Sequence, residues 1–145
     1  MFKNWTRTTL AVALGAAAWS ATAQTAHEDA VAAEMNAIIP MLESEGFEVV
    51  ATADGFLETG EADFMDFVPD DGWEYIVAAA CDGDCTDIDM LVEDEMGTLI
   101  GIDEATDDRP NVAWLVDQAI THTATIGMVE CDAGNCYYGV VLMRR

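Results

Sequence analysis

The sequence predicts a mainly β protein, an antiparallel jelly-roll-like β-sandwich preceded by a short N-terminal helix. After residue 46, short segments of alternating apolar and polar residues follow one another, separated by turns rich in Asp, Gly and Asn. Roughly seven such segments at short, regular intervals are typical of an antiparallel sandwich. Strands and helices do not alternate along the chain, which disfavours a parallel α/β sheet.

Residues 1–23 have the pattern of a cleavable export signal. Lys3 and Arg7 form a positive n-region, residues 10–19 are an apolar run, and the Ala-Thr-Ala sequence ending at Ala23 is an A-x-A cleavage site. The run is too short to span a bilayer. We therefore expect cleavage after Ala23, a periplasmic or secreted location, and no membrane span in the mature chain.

Residues 24–46 are predicted to be helical. Thr25 and Glu28 stand at the spacing of a capping box, and Gly46 can end the helix. Pro40 lies inside this segment, so we expect a kink there or a division into two shorter helices. Apolar residues recur at helical spacing on one face: Val31, Met35, Ile38 and Leu42.

Residues 47–145 are predicted to form the sandwich as one domain, which is long enough for a hydrophobic core. In one segment, alternation places four residues on one face up to Cys81: Trp73, Tyr75, Val77 and Ala79. The predicted strands are 47–51, 64–68, 73–81, 87–93, 112–116, 125–130 and 137–143.

The predicted mature chain is strongly acidic. All 28 acidic residues follow residue 23, but only three of the five basic residues do, which gives a formal charge of −25. Nucleic acid requires a basic footprint and anionic lipid would repel this chain, so neither is expected as a partner. Solubility or adaptation to salt is the favoured interpretation, and cation binding is the alternative.

Four cysteines in two close pairs predict two disulfide bonds, Cys81–Cys85 and Cys131–Cys136. Three connectivities are open, and the local one is favoured because Cys131 and Cys136 flank the turn sequence Asp-Ala-Gly-Asn. There they would face each other across two antiparallel strands. Such short loops gain about 2 kcal/mol each, so we expect the bridges to shape loops more than to hold the fold. A zinc or redox site would favour C-x-x-C spacing.

Four aspartates around the first bridge are candidate metal ligands. Asp82 and Asp84 lie inside the loop that the bridge would close, and Asp87 and Asp89 share one face if the segment is extended. Calcium takes about six to eight oxygen ligands, which converging carboxylates can supply. The spacing does not match an EF-hand. The alternative is a solvated acidic turn.

Residues that support nucleophilic catalysis are scarce. Ser44 is the only serine after residue 23, His27 and His122 are the only histidines, and no thiol is expected to be free. A Ser-His or Cys-His pair is therefore hard to assemble, and His122 is expected to be an exposed strand residue. Four aromatic residues are expected in the core rather than in a binding patch: Trp73, Trp114, Tyr137 and Tyr138.

Residues 53–143 resemble the bacterial pre-peptidase C-terminal domain, a secreted β-sandwich of jelly-roll type. Asp87-Ile-Asp89-Met90 is similar to the D-L-D-L signature of that family, and Asp107-Asp108 before Pro110 is similar to its acidic turn. Three further segments resemble its strands: 55–57 (GFL), 73–77 (WEYIV) and 136–142 (CYYGVVL).

The resemblance implies a non-catalytic accessory or binding domain, in a family whose members bind calcium or extracellular polymers such as collagen. Asp87 and Asp89 match the family motif directly, and Asp107 and Asp108 match it more loosely. The two cysteine pairs depart from the family pattern and no peptidase precedes the domain, so we expect a stand-alone oxidised form.

We therefore expect an exported, non-catalytic binding or accessory protein that is not an enzyme, with calcium bound in the Asp82–Asp89 loop. Its expected partner is a protein or an extracellular polymer. The first alternative is a purely structural or protein-interaction domain with an acidic, salt-adapted surface and no specific metal. A hydrolase that uses two carboxylates is a third hypothesis.

Overall fold

The computed structural model describes residues 26–145. The predicted signal peptide, its cleavage site after Ala23 and Thr25 of the capping box lie outside these residues. The elements are α1 (Ala26–Ser44), β1 (Glu48–Glu58), β2 (Ala62–Phe67), β3 (Glu74–Cys81), β4 (Cys85–Asp94), β5 (Leu99–Asp103), β6 (Asn111–Leu115), β7 (His122–Cys131) and β8 (Asn135–Arg144). Within the described range, no helix combines the length and hydropathy needed to cross a membrane.

The strands form two antiparallel sheets of four strands each, in the orders β1-β8-β3-β6 and β2-β7-β4-β5. Among consecutive strands only β4 and β5 pair in one sheet, and every other connection crosses from one sheet to the other. This arrangement confirms the predicted antiparallel sandwich with an N-terminal helix. The predicted strands match seven of the eight observed strands, although β1 extends well beyond residue 51.

Strand β5 has no counterpart among the predicted segments. It is short and partly exposed, and it has Gly101 at its centre. A side chain at Gly101 would collide with Val112 of β6, so the glycine allows the edge strands of the two sheets to approach each other.

The space between the sheets is filled by alternate side chains of the strands. Tyr75, Val77 and Ala79 of β3 face inward as predicted, in the same core as Ile88 and Met90 of β4. The prediction is wrong for Trp73, which precedes β3 and is exposed. The same core contains residues of the two partner strands: Val140 and Leu142 of β8, and Ile126 and Met128 of β7.

Helix α1 packs on the outer face of sheet β1-β8-β3-β6 and forms a second core there. Val31, Met35 and Leu42 are buried as the helical spacing predicts, and Ile38 is partly buried. They cover Ile76, Ala78, Ala80, Val141 and Met143.

The helix is continuous through Pro40, so the predicted division into two shorter helices does not occur. Pro40 lies on the exposed side of α1. There the carbonyl group of Asn36, which loses its helical hydrogen-bond donor, remains within reach of water.

The two disulfide bonds have the predicted connectivity, Cys81–Cys85 and Cys131–Cys136. The prediction that Cys131 and Cys136 face each other across paired strands is wrong, because β7 and β8 belong to different sheets. Cys81 and Cys85 likewise lie on β3 and β4, in opposite sheets, and Cys85 stands beside Cys131 in the β4–β7 ladder. Both bridges therefore connect the two sheets at the same end of the sandwich.

Removal of either bridge is expected to lower the free energy of unfolding by about 2 kcal/mol, since each closes a very short loop. The measurement is urea denaturation of the Cys131→Ala/Cys136→Ala variant and of the Cys81→Ala/Cys85→Ala variant, each compared with wild type. An unchanged urea midpoint in both variants would contradict a role in joining the sheets.

Gly139→Ala is expected to destabilise the fold by about 1–3 kcal/mol through overpacking. An added Cβ would lie 2.9 Å from Val31 Cγ1 and 3.3 Å from Met35 Cγ, on the surface where α1 docks. Gly83→Ala is the control, since no atom lies within 4 Å of a Cβ there. Thermal unfolding measures the stability of both variants against wild type. A double-mutant cycle with Val31→Ala should show coupling, and its absence would argue against this contact.

Candidate functional site

The loop between Cys81 and Cys85 is fixed by a buried carboxylate. The Asp82 side chain is only 1% exposed. Its Oδ1 accepts the backbone N–H of Asp84 at 3.1 Å, and its Oδ2 accepts the backbone N–H of Tyr137 at 2.8 Å. The backbone of Asp82 also donates to the carbonyl group of Tyr137 at 2.9 Å. Asp82 therefore anchors the loop to β8.

His27 in the first turn of α1 reaches the same carboxylate. Its Nδ1 lies 3.0 Å from Asp82 Oδ2 and 3.6 Å from Asp84 Oδ2. Potential ligand atoms of these three residues lie within 4.8 Å of one another. A protonated imidazole makes an ion pair here, whereas a neutral imidazole beside carboxylates suits a transition metal better than calcium.

Asp87 and Asp89 lie further along β4, on the face opposite the core residue Ile88. The N–H of Ile88 donates to the carbonyl group of Asp107 at 3.1 Å, which brings the loop after β5 beside these aspartates. Asp87 Oδ1 is buried and has no hydrogen-bond partner among the described residues. A buried carboxylate oxygen without a partner is energetically costly unless a cation neutralises it.

Burial and crowding by like charges raise the pKa of both groups. For Asp87, burial is the largest cause, followed by Glu130 and Asp107. Burial also raises the pKa of Asp89 to about 6, with further contributions from Asp87, Glu104 and Asp103. The potential metal-ligand atoms around Asp87 and Asp89 are carboxylate oxygens, which calcium prefers.

The four predicted metal ligands are thus divided between two places. Asp82 and Asp84 lie with His27, whereas Asp87 and Asp89 lie with the acidic residues of the loop after β5. Asp82 and Asp84 lie in the loop before β4, whereas Asp87 and Asp89 lie on the strand itself, after a register shift in its pairing with β7. One calcium site shared by all four aspartates stays a prediction.

His122 is buried at the opposite end of the sandwich from the disulfide bonds, and the expectation that it would be exposed is wrong. It is 5% exposed and packs against Phe67 and Trp114, with ring centroids 5.9 and 5.8 Å away. Burial lowers the pKa of His122, although Asp94 and Asp117 oppose the shift. The neighbouring threonines in the sequence gave no sign of this environment.

The predicted core tyrosines are buried and hydrogen-bonded to carboxylates. Tyr138 Oη donates to Asp63 Oδ2 at 2.7 Å between the sheets, and Tyr137 Oη donates to Asp54 Oδ2. Burial and these carboxylates raise the pKa of both phenols, which remain protonated donors. Of the two tryptophans expected in the core, Trp114 is partly buried. The expectation is wrong for Trp73, which is exposed beneath the guanidinium group of Arg144.

The fold and these sites define a disulfide-linked antiparallel β-sandwich with an acidic surface. No family profile and no curated protein matches the chain. The structure is similar to PliG, a periplasmic inhibitor of g-type lysozyme from Aeromonas hydrophila, with 10% identity, 66% of this chain and 85% of that chain covered, and a TM-score of 0.49.

The chain is also similar to the pre-peptidase C-terminal domain of a collagenase from Bacillus anthracis. The identity is 11%, the match covers 63% of this chain and 86% of the other, and the TM-score is 0.45. This domain represents the family that the sequence resembles. At this level of similarity, no site residue or activity carries over to the chain.

Asp89→Asn is expected to raise the melting temperature of the metal-free mature protein at pH 7. The pKa of Asp89 in the folded state, about 6, lies above the ordinary value of 3.8. The folded state therefore binds the proton more tightly, and stability falls as the pH rises through this interval. Thermal melts between pH 4 and 7 measure the slope, which should be flatter in the variant.

Asp71→Asn is the control for this experiment, because it removes the same charge from an exposed turn. It should leave the pH slope as in wild type. An Asp89→Asn variant with the wild-type slope would show that another group causes the pH dependence.

Proposed function

We propose that the mature chain is an exported, non-catalytic binding protein in which calcium binds to the Asp87 and Asp89 side of β4 as a structural or bridging ion. The observation that carries this proposal is the buried, unpartnered Oδ1 of Asp87 beside Asp89, whose pKa is raised by burial and by neighbouring like charges. A divalent cation at this position relieves both the lost hydration and the repulsion.

Export is supported by the chemistry of the cysteines. Both disulfide bonds join the sheets, and the described chain holds no free cysteine. Such bonds persist in oxidising compartments such as the periplasm or the extracellular space. The export pattern of residues 1–23 agrees with this location.

A binding role is supported over catalysis by how the reactive side chains are used. Ser44 donates to the carbonyl group of Met41 at 2.6 Å at the end of α1. His27 is held by Asp82 and Asp84, and His122 is buried among aromatic rings. These contacts give the side chains structural roles and leave no nucleophile beside a base in the described residues.

A protein-interaction role without a specific metal is the second candidate, and the pairing of the arginines favours it. Arg109 contacts Glu34 at 2.8 Å, and Arg144 contacts Glu48 at 2.7 Å. Arg145 contacts Glu74 at 2.8 Å. With all three arginines of the predicted mature chain paired, the remaining carboxylates form an uncompensated surface that attracts basic partners.

Calcium is expected to raise the melting temperature of the metal-stripped mature protein. A ligand at 100 times its Kd adds about 2.7 kcal/mol to the stability of the folded state. The Asp87→Asn/Asp89→Asn variant should be more stable than wild type without calcium and should lose the response to it. Differential scanning calorimetry measures both effects, with Asp71→Asn as the control that keeps the response.

Two outcomes would contradict this assignment. If Asp84→Asn abolishes the response and the Asp87→Asn/Asp89→Asn variant keeps it, the cation binds beside His27. If sodium chloride of equal ionic strength raises the melting temperature of every variant as much as calcium does, the effect is screening of diffuse charge. The second outcome would favour the interaction protein without a specific metal.

A further inference from the structure

A groove runs along one flank of helix α1, between the helix and the edge strand β6. Its volume is about 420 Å³, within the range of sites that hold small ligands or side chains. The helix supplies one wall with Ala37 and Met41, strand β3 supplies the floor with Ile76 and Ala78, and Asn111 lies on the far side.

The groove follows from how the helix is placed on the sheet. Helix α1 packs over β8 and β3, where its buried residues form the second core. Strand β6 lies at the edge of this sheet. Val112 is buried in the inner core, so its neighbours Asn111 and Ala113 point to the helix side, where both are exposed. Small side chains at Ala37 and Ala78 keep the space between helix and strand open.

The interior of the groove is aliphatic. Ile38, Leu42 and Ile76 line it beside the two alanines, and Met41 lies at its mouth with 54% of its surface exposed. An exposed methionine is a flexible apolar contact that adapts to the shape of a bound group. The interior therefore suits an aliphatic side chain.

The rim of the groove selects the charge of the ligand. Glu34 of α1 and Glu45 in the turn after the helix lie at the rim, and Arg109 is already neutralised by Glu34. The side chain of Glu45 makes no ion pair within residues 26–145; Arg145 contacts only its backbone carbonyl group. The surrounding surface is strongly acidic, so an anionic ligand is repelled and a cationic one is attracted.

We infer that this groove binds a short peptide segment of a partner protein, in which aliphatic side chains enter the groove and basic side chains meet the acidic rim. The site goes beyond the proposed calcium function, because it lies on the helix-covered sheet and requires no cation. It gives the binding protein a surface with defined chemistry for a basic partner.

The test is fluorescence anisotropy with a labelled hexapeptide of alternating lysine and leucine, added to the mature protein. Two comparison peptides replace every leucine with serine or every lysine with glutamate. The lysine–leucine peptide should bind at least about tenfold more tightly than either, since one loses the apolar contact and the other the charge match. Binding should weaken as salt rises.

Ala37→Trp fills the groove and should weaken binding about tenfold or more. The matched control is Ala33→Trp, at an exposed alanine one helical turn earlier and outside the groove, which should bind as wild type does. Circular dichroism melts check that both variants fold. Met41→Ala, at an exposed position, is a second variant that should weaken binding without filling the groove.

Equal affinity of wild type, Ala37→Trp and Met41→Ala would place the peptide on the diffuse acidic surface and overturn the inference. Equal binding of the lysine–serine peptide, or no binding at millimolar peptide, would overturn it as well. So would a dimer in sedimentation that Ala37→Trp dissociates, since the occupant would then be a second copy of this chain. Binding should be unchanged in the Asp87→Asn/Asp89→Asn variant and in chelator, which separates this result from the calcium test.

Discussion

The burial of both faces of strands β3 and β8 is the constraint on which the rest of the structure depends. Tyr75 and Val77 face the opposite sheet, whereas Ile76 and Ala78 face helix α1. A sheet with two apolar faces must be covered on both sides, so the helix is required for the sandwich to be stable in water. Gly139 on β8 lets the helix approach closely enough to complete that cover. The groove beside α1 is a consequence, because one helix covers the central strands but not the edge strand β6.

At the end of the sandwich that carries the disulfide bonds, the same framework holds charged side chains in fixed positions. Both bridges cross from one sheet to the other, so the loop that contains Asp82 starts and ends on covalently linked strands. The buried carboxylate of Asp82 is held by two backbone N–H groups and by His27. The contacts of Asp82 therefore link the loop to β8 and to the start of helix α1. Hydrogen bonds of this kind hold a carboxylate where an isolated acidic loop would leave it free to rotate.

Period-two alternation predicted the inward face of β3, but not that its other face is buried, because small residues such as Ala78 carry little signal by themselves. The spacing of Cys131 and Cys136 predicted their bond, but a local turn pattern does not reveal that the flanking strands join different sheets. The contact of His27 with Asp82 joins residues that are far apart in the chain and depends on how the helix docks. Polar neighbours made His122 look exposed, although it is the packing of Phe67 that decides its burial.

The acidic surface and the apolar groove have different physical consequences for a partner. Long-range attraction raises the rate of encounter with any basic protein, is weakened by salt, and discriminates poorly among basic partners. A groove of fixed shape acts only at contact and discriminates by the side chains that fit it. Since Glu34 of α1 and Glu45 in the turn after it line the groove together with apolar residues of the helix, both effects act on one ligand at one place. Specific recognition by so acidic a protein is therefore expected at the flank of α1, where charge and apolar shape coincide, rather than across its surface as a whole.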